Sequence, residues 1–201
     1  MTNTARKRRG RPPSGGREAI REATLELLRE RGVARLTTRD VAERAGVSEA
    51  SVYYHYTDKA GLLRAVFEAG LERLQAATLG RGDGLLAFGQ ELERFLGQAL
   101  PVMTAAQSDA ELRDALAAHM VANDLGPHRG IQTLGGYLAA GQRAGTVRAD
   151  LDPEAAAQLF VGSCLLRVAQ RQFVSRPDAP PMPSLERTVA AFEALIAPSG
   201  P

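Results

Sequence analysis

The 201-residue chain has no tryptophan, one cysteine, three histidines and only 5% aromatic residues. A single cysteine excludes an internal disulfide framework and fits a reducing cytoplasm, where we place the protein. The histidines and the cysteine are scattered and lack metal-ligand spacing, so neither a metal nor a cofactor is expected. No nucleophile elbow occurs. Acid pairs such as Asp150 and Asp152 stand at a helix start, where capping explains them. With no catalytic constellation, an enzyme is rejected. No run of 18 apolar residues exists, so no helix is expected to span a membrane and no membrane partner is expected. The basic N-terminus is not followed by an apolar stretch, so it is not a secretion signal. Lysine is nearly absent, 2 against 23 arginines. We ascribe that bias to a GC-rich genome rather than to arginine-specific chemistry.

Charge is unevenly spread. Residues 1–60 hold 13 Lys+Arg and 8 Asp+Glu, a net +5, while residues 61–201 hold the other 12 and 15, a net −3. The positive end is the one suited to a polyanion. Residues 1–16 are Gly/Pro-rich and contain five basic residues without an acid. This arm is expected to be disordered when free. Within it, Arg9-Gly10-Arg11-Pro12 resembles the core of an AT-hook, with Arg9 and Arg11 suited to a narrow minor groove. A solvated basic tail adding nonspecific affinity explains the same residues equally well.

The densest signal lies between Leu36 and Leu63, LTTRDVAERAGVSEASVYYHYTDKAGLL. Thr37 or Thr38 caps one short helix, with Asp40 approximating a capping box. Gly46 ends that helix, Val47 pins the turn, and Ser48 caps the next. Asp58 caps a further helix from Lys59. Small residues at Ala42, Ala45 and Gly46 allow two helices to cross closely through a short turn, which is a helix-turn-helix. The second helix then enters the major groove with Glu49, Ala50 and Ser51 at base edges. Tyr53, Tyr54, His55 and Lys59 suit phosphates. A buried corner is the bland alternative. Two adjacent tyrosines followed by histidine cannot all face one core, however.

These residues resemble the DNA-binding domain of the TetR family of bacterial one-component transcription regulators, over Thr37 to Leu63. The resemblance implies that Thr38, Arg39, Glu49, Ala50, Ser51, Tyr53, Tyr54, His55 and Lys59 line the DNA. Two positions depart from the family's usual pattern. Tyr56 stands where Phe is commoner, and its hydroxyl has no evident use. Gly61 stands where Glu often completes the cap, and is expected to weaken the start of its helix by about 1 kcal/mol.

The whole chain reads as all-α, an N-terminal three-helix helix-turn-helix domain joined by a fourth helix to a C-terminal helical ligand-binding and dimerisation domain. Residues 1–16 form the arm and 17–79 the DNA-binding domain with its connecting helix. The breaker run Gly80–Gly84 marks the boundary, and residues 85–201 form the second domain. In that domain helices are expected over 85–104, 109–123, 128–144, 153–173 and 184–197, with a Pro-rich loop over 175–183. The resemblance implies that the domain dimerises through the last two long helices and binds a small effector that releases DNA. Leu159, Ser163, Leu166, Leu185, Val189, Phe192 and Ile196 are the expected interface. Both helices carry apolar residues on more than one face, and so wide an apolar surface must be buried twice. For the effector, Phe88, Leu92, Phe95, Met103, Met120, Tyr137, Phe160 and Cys164 are the apolar candidates, with His119 and Arg167 the polar ones. Plain core packing stands beside each apolar assignment, and an ion pair beside Arg167.

The expected function is a ligand-responsive repressor, binding a palindromic operator in double-stranded DNA as a homodimer. An architectural DNA binder, or an activator without a small-molecule effector, remains the alternative. The first would discriminate little between sequences and depend steeply on salt.

Overall fold

A computed structural model describes residues 13–76, 84–107, 110–173 and 181–198. All regular structure among these residues is helical. No helix among them is long and apolar enough to cross a membrane. The chain divides into two compact units, Met1–Val66 and Phe67–Pro201.

The first unit holds α1 (Pro13–Arg31), a 3-10 turn (Val33–Arg35), α2 (Thr38–Ala45), α3 (Glu49–His55) and the opening of α4 (Lys59–Ala76). α1 starts four residues earlier than the expected Arg17, so residues 13–16 are helix rather than arm. Pro13 favours this start, because a first-turn proline has its φ preset and gives up only an N–H that has no helical partner. Ile20, Leu27, Val41, Val52, Leu62 and Leu63 are each at most 2% exposed and form the core. Burying one such side chain stabilises by about 1.5–3 kcal/mol. Arg44 of α2 ties back to α1, at 3.1 Å from Glu26 and 2.7 Å from Glu30. Its hydrogen bonds hold the Glu30 carboxyl below the usual range.

The departure at Tyr56 has a structural use. Its ring is buried, its Oη donates to the Arg17 carbonyl at 3.3 Å, and the Arg17 guanidinium lies 5.8 Å from the ring centroid. The hydroxyl therefore fastens the first turns of α1. At the other departure, the Gly61 N–H donates to Asp58 Oδ1 at 2.7 Å, so Asp58 caps α4.

The second unit contains the rest of α4, then α5 (Gly84–Ala106), α6 (Ala110–Ala122), α7 (Pro127–Ala144), α8 (Pro153–Phe173) and α9 (Leu185–Ile196). The division at Val66 and Phe67 falls inside α4, ahead of the breaker run. Residues 77–83 lie outside the described residues, and Gly84 opens α5. α8 is central and packs on α5, α7 and α9. Phe88, Leu134, Leu138, Phe160 and Cys164 are at most 1% exposed at its heart. Gly89 permits the approach of α5 to its neighbours: a Cβ there would lie 3.2 Å from Leu185 Cδ1 and 3.3 Å from Phe160 Cζ.

Pro101 stands inside α5. It has no N–H to return to the carbonyl of Gly97, four residues earlier. Gln172 of α8 supplies a donor instead, Nε2 to Gly97 O at 2.9 Å. A defect in one helix thus becomes a tie between two.

Candidate nucleic-acid interface and effector cavity

Local capping shapes the α2–α3 pair. Thr37 Oγ1 accepts from the Asp40 N–H at 3.1 Å and donates to the Asp40 carboxylate at 2.6 Å. That hydroxyl, aided by Arg31, holds the Asp40 carboxyl below its ordinary range. Gly46 takes φ 66°, the left-handed conformation that ends α2. The Val47 N–H then closes on the Ala42 carbonyl at 3.0 Å. Ser48 Oγ accepts from the Ser51 N–H at 3.1 Å and opens α3. Val52 is fully buried, so the opposite face of α3 is set outward.

On that outward face Glu49 and Ala50 are exposed, Tyr53 is 52% exposed and Tyr54 84% exposed. Arg39 is exposed, while Thr38, Ser51, His55 and Lys59 are half-buried. Three of these groups are already joined. Thr38 Oγ1 donates to Glu49 Oε1 at 2.9 Å and lies 3.2 Å from Tyr53 Oη. Since the threonine hydroxyl has one proton, Tyr53 is the donor in the second contact, and the chain runs Tyr53 to Thr38 to Glu49. The carboxylate expected to read bases is thereby held by a residue of α2. Ser51 Oγ lies 3.1 Å from Ser48 Oγ, so part of its capacity is spent on the cap. Tyr54 packs edge-on against the His55 ring at 5.1 Å. Arg9 and Arg11 lie outside the described residues.

The second unit contains a cavity of about 200 Å³. Five helices contribute to it: Phe67 and Leu71 from α4, Phe95 from α5, Met120 from α6, Arg129 from α7 and Val161 from α8. Of the expected effector residues, Leu92, Phe95, Met103 and Met120 line it. The other six do not. Phe88, Phe160 and Cys164 face inward, and Tyr137 packs against the same inner core. His119 Nε2 lies 3.2 Å from the Glu68 carboxylate, close enough for an ion pair but without hydrogen-bond alignment. Arg167 is tied to Glu93 and to the Pro183 carbonyl. Burial and the nearby Glu93 carboxylate push the Cys164 thiol up to about 12. Helical periodicity reports that a residue is inside, not which interior space it meets.

The expected interface residues also part into two groups. On α8, Leu159 is 73% exposed and Leu166 58% exposed, with Ser163 half-buried between them. On α9, Leu185, Val189, Phe192 and Ile196 are buried in the protomer's own core, and Phe192 stacks on Phe160 at 4.9 Å. Their spacing is one helical stripe, and α5 and α8 already cover it. The α9 residues left open are Glu186, Arg187, Ala190, Ala191, Glu193, Ala194 and Leu195.

Residues 20–66 match the family described as bacterial regulatory proteins, tetR family. Residues 85–194, more than half the chain, match the C-terminal domain described for AefR-like transcriptional repressors. The chain is 32% identical to the class A tetracycline repressor protein from transposon 1721 of Escherichia coli over 160 residues, 65% of this chain and 73% of that one. It is 30% identical to the uncharacterized HTH-type regulator YdeS of Bacillus subtilis over 168 residues, 80% and 82% of the two chains. Among solved structures, the fatty acid degradation regulator FadR from Bacillus halodurans superposes with a TM-score of 0.58. That match covers 94% of this chain and 96% of the other at 16% identity, a likeness of fold alone.

Proposed function

The chain belongs to the tetR family of bacterial regulatory proteins, a family of DNA-binding transcriptional regulators rather than enzymes, and from that membership we propose how this member works. It is a homodimeric repressor that binds a palindromic operator in the cytoplasm and lets go when a small apolar or amphipathic molecule enters the second unit. The carrying observation is the apolar cavity of about 200 Å³, bordered by five helices of that unit. Shape and lining suit a small ligand, since such sites are concave and mostly apolar with few polar groups. Repression is supported by the names of the relatives, several of which are repressors.

Two-fold pairing is supported by the open leucines of α8. One helix-turn-helix contacts too few base pairs for a selective site, and a two-fold partner doubles the contact. In each half-site Glu49, Ala50 and Ser51 meet base edges, while Arg39, Tyr53, Tyr54, His55 and Lys59 meet phosphates. An architectural role is less well supported, because a ligand-sized cavity has no place in it.

The test is fluorescence anisotropy of the purified protein on the DNA flanking its own gene, with excess random competitor. Saturable binding that survives competitor, with two protomers per site, supports the reading. Binding lost to competitor at every candidate site refutes a specific operator there and favours the architectural reading.

A further inference from the structure

The lining of the cavity is chemically one-sided. Arg129 is the single charged residue among the described residues that line it. It stands in the first turn of α7, next in the chain to Leu125, Gly126 and Pro127, which also line the cavity. Its partner there is a weak one. Asp124 lies 3.4 Å away, its side chain is 74% exposed, and it is shared with His128 at 3.0 Å. A guanidinium carries five donors, so most of this one's capacity is open. Arg129 is itself 46% exposed, which puts the charge at the rim rather than in the depth.

This arrangement discriminates among ligand classes. A neutral apolar molecule would leave the guanidinium unused. A polyol or a multiply charged molecule would give up hydration to an interior that returns a single polar partner. A molecule with one acid and an apolar tail loses nothing: the tail fills the interior while the acid stays at the wet rim, in fork-to-fork contact with Arg129. The first turn of α7 adds its positive dipole end to the same place. Resting on the reading of this cavity as the effector site, we propose that the effector is a single-chain monocarboxylate, bound tail inward with its carboxylate on Arg129 in place of Asp124. A volume of about 200 Å³ takes at least about six methylenes, each near a water's liquid share of roughly 30 Å³.

The absence of tryptophan supplies a clean assay. Met103 lines the cavity and is 42% exposed, so Met103→Trp sets one reporter at its wall. Decanoate and decanol, equal in length, are titrated into this variant with and without Arg129→Gln, and calorimetry on the unsubstituted chain checks the reporter. Decanoate is expected to bind about tenfold more tightly than decanol, the worth of about 1.4 kcal/mol. Arg129→Gln should bring decanoate down to the level of decanol and leave decanol unchanged. From hexanoate to decanoate, affinity should rise about fourfold per buried methylene until the cavity is full. Equal binding of acid and alcohol, or an equal loss of both in Arg129→Gln, overturns the carboxylate assignment and leaves the cavity standing as an effector site. No binding of either, by emission and by calorimetry, overturns both.

Discussion

Gln172→Leu isolates the tie between α8 and the broken turn of α5. The substitution keeps the side-chain volume and removes the donor that reaches Gly97 O at 2.9 Å. A typical internal hydrogen bond contributes about 1 kcal/mol net, and a buried carbonyl left without a donor costs about 1–3 kcal/mol. Against this, Gln172 Oε1 is itself buried without a partner among the described residues, so leucine removes one unpaired acceptor while exposing another. The expected net loss is about 1–2 kcal/mol. In a chain of this size that is a fall in Tm of roughly 2–8 °C, at about 2–4 °C per kcal/mol. The assay is thermal and urea unfolding followed by circular dichroism, in two backgrounds. In Pro101→Ala the new N–H can close on the Gly97 carbonyl within α5, so Gln172→Leu should there cost close to nothing. The difference between the two backgrounds is the coupling. An equal loss in both would refute the assignment of Gln172 as the stand-in for the missing proline donor.

Four further outcomes are expected. Thr38→Val and Glu49→Ala should be non-additive in operator binding, by roughly 1 kcal/mol or about fivefold in Kd, because Thr38 holds the Glu49 carboxylate; strict additivity in anisotropy titrations would show that it does not. Lys59→Ala should weaken binding to all sequences alike and reduce the salt slope by about 0.9, whereas Glu49→Ala should change preference at one base position per half-site; a competition series over single-base variants reads both. Leu159→Asp with Leu166→Asp should yield a folded monomer in sedimentation, while Phe192→Ala should lower unfolding stability by about 3–5 kcal/mol as a core truncation; dissociation by the second with unchanged stability would reverse the assignment of the two helices. Cys164, fully buried and with its thiol pushed up to about 12, should ignore a thiol reagent at neutral pH until the protein unfolds, and rapid native-state labelling would contradict that burial.

The helices were legible in the sequence because their ends are chemical and local. Thr37, Ser48 and Ser184 each cap the helix that follows by accepting from an N–H three residues on, and Gly46 and Gly145 take the positive φ that ends α2 and α7. Such signals need only a few neighbouring residues, so the order of helices and the outward face of α3 follow from the sequence alone. The start of α1 did not, because a Gly/Pro-rich stretch reads as an arm even where a first-turn proline opens a helix.

What tertiary structure alone decided is which buried surface each apolar residue meets. A stripe such as Leu185, Val189, Phe192 and Ile196 looks the same whether its partner is α8 of its own chain or a second protomer, and packing assigned it to the first. Phe88 and Phe95 lie on the same helix, yet one closes the core and the other borders a cavity. Arg129 was not among the expected effector residues, because nothing in its neighbourhood along the chain distinguishes it from other surface arginines. It matters because five helices, distant in sequence, leave a space beside it. Periodicity carries the direction of a side chain from its own helix axis, whereas the shape of the space it enters depends on the placement of helices whose separation in sequence no local signal encodes.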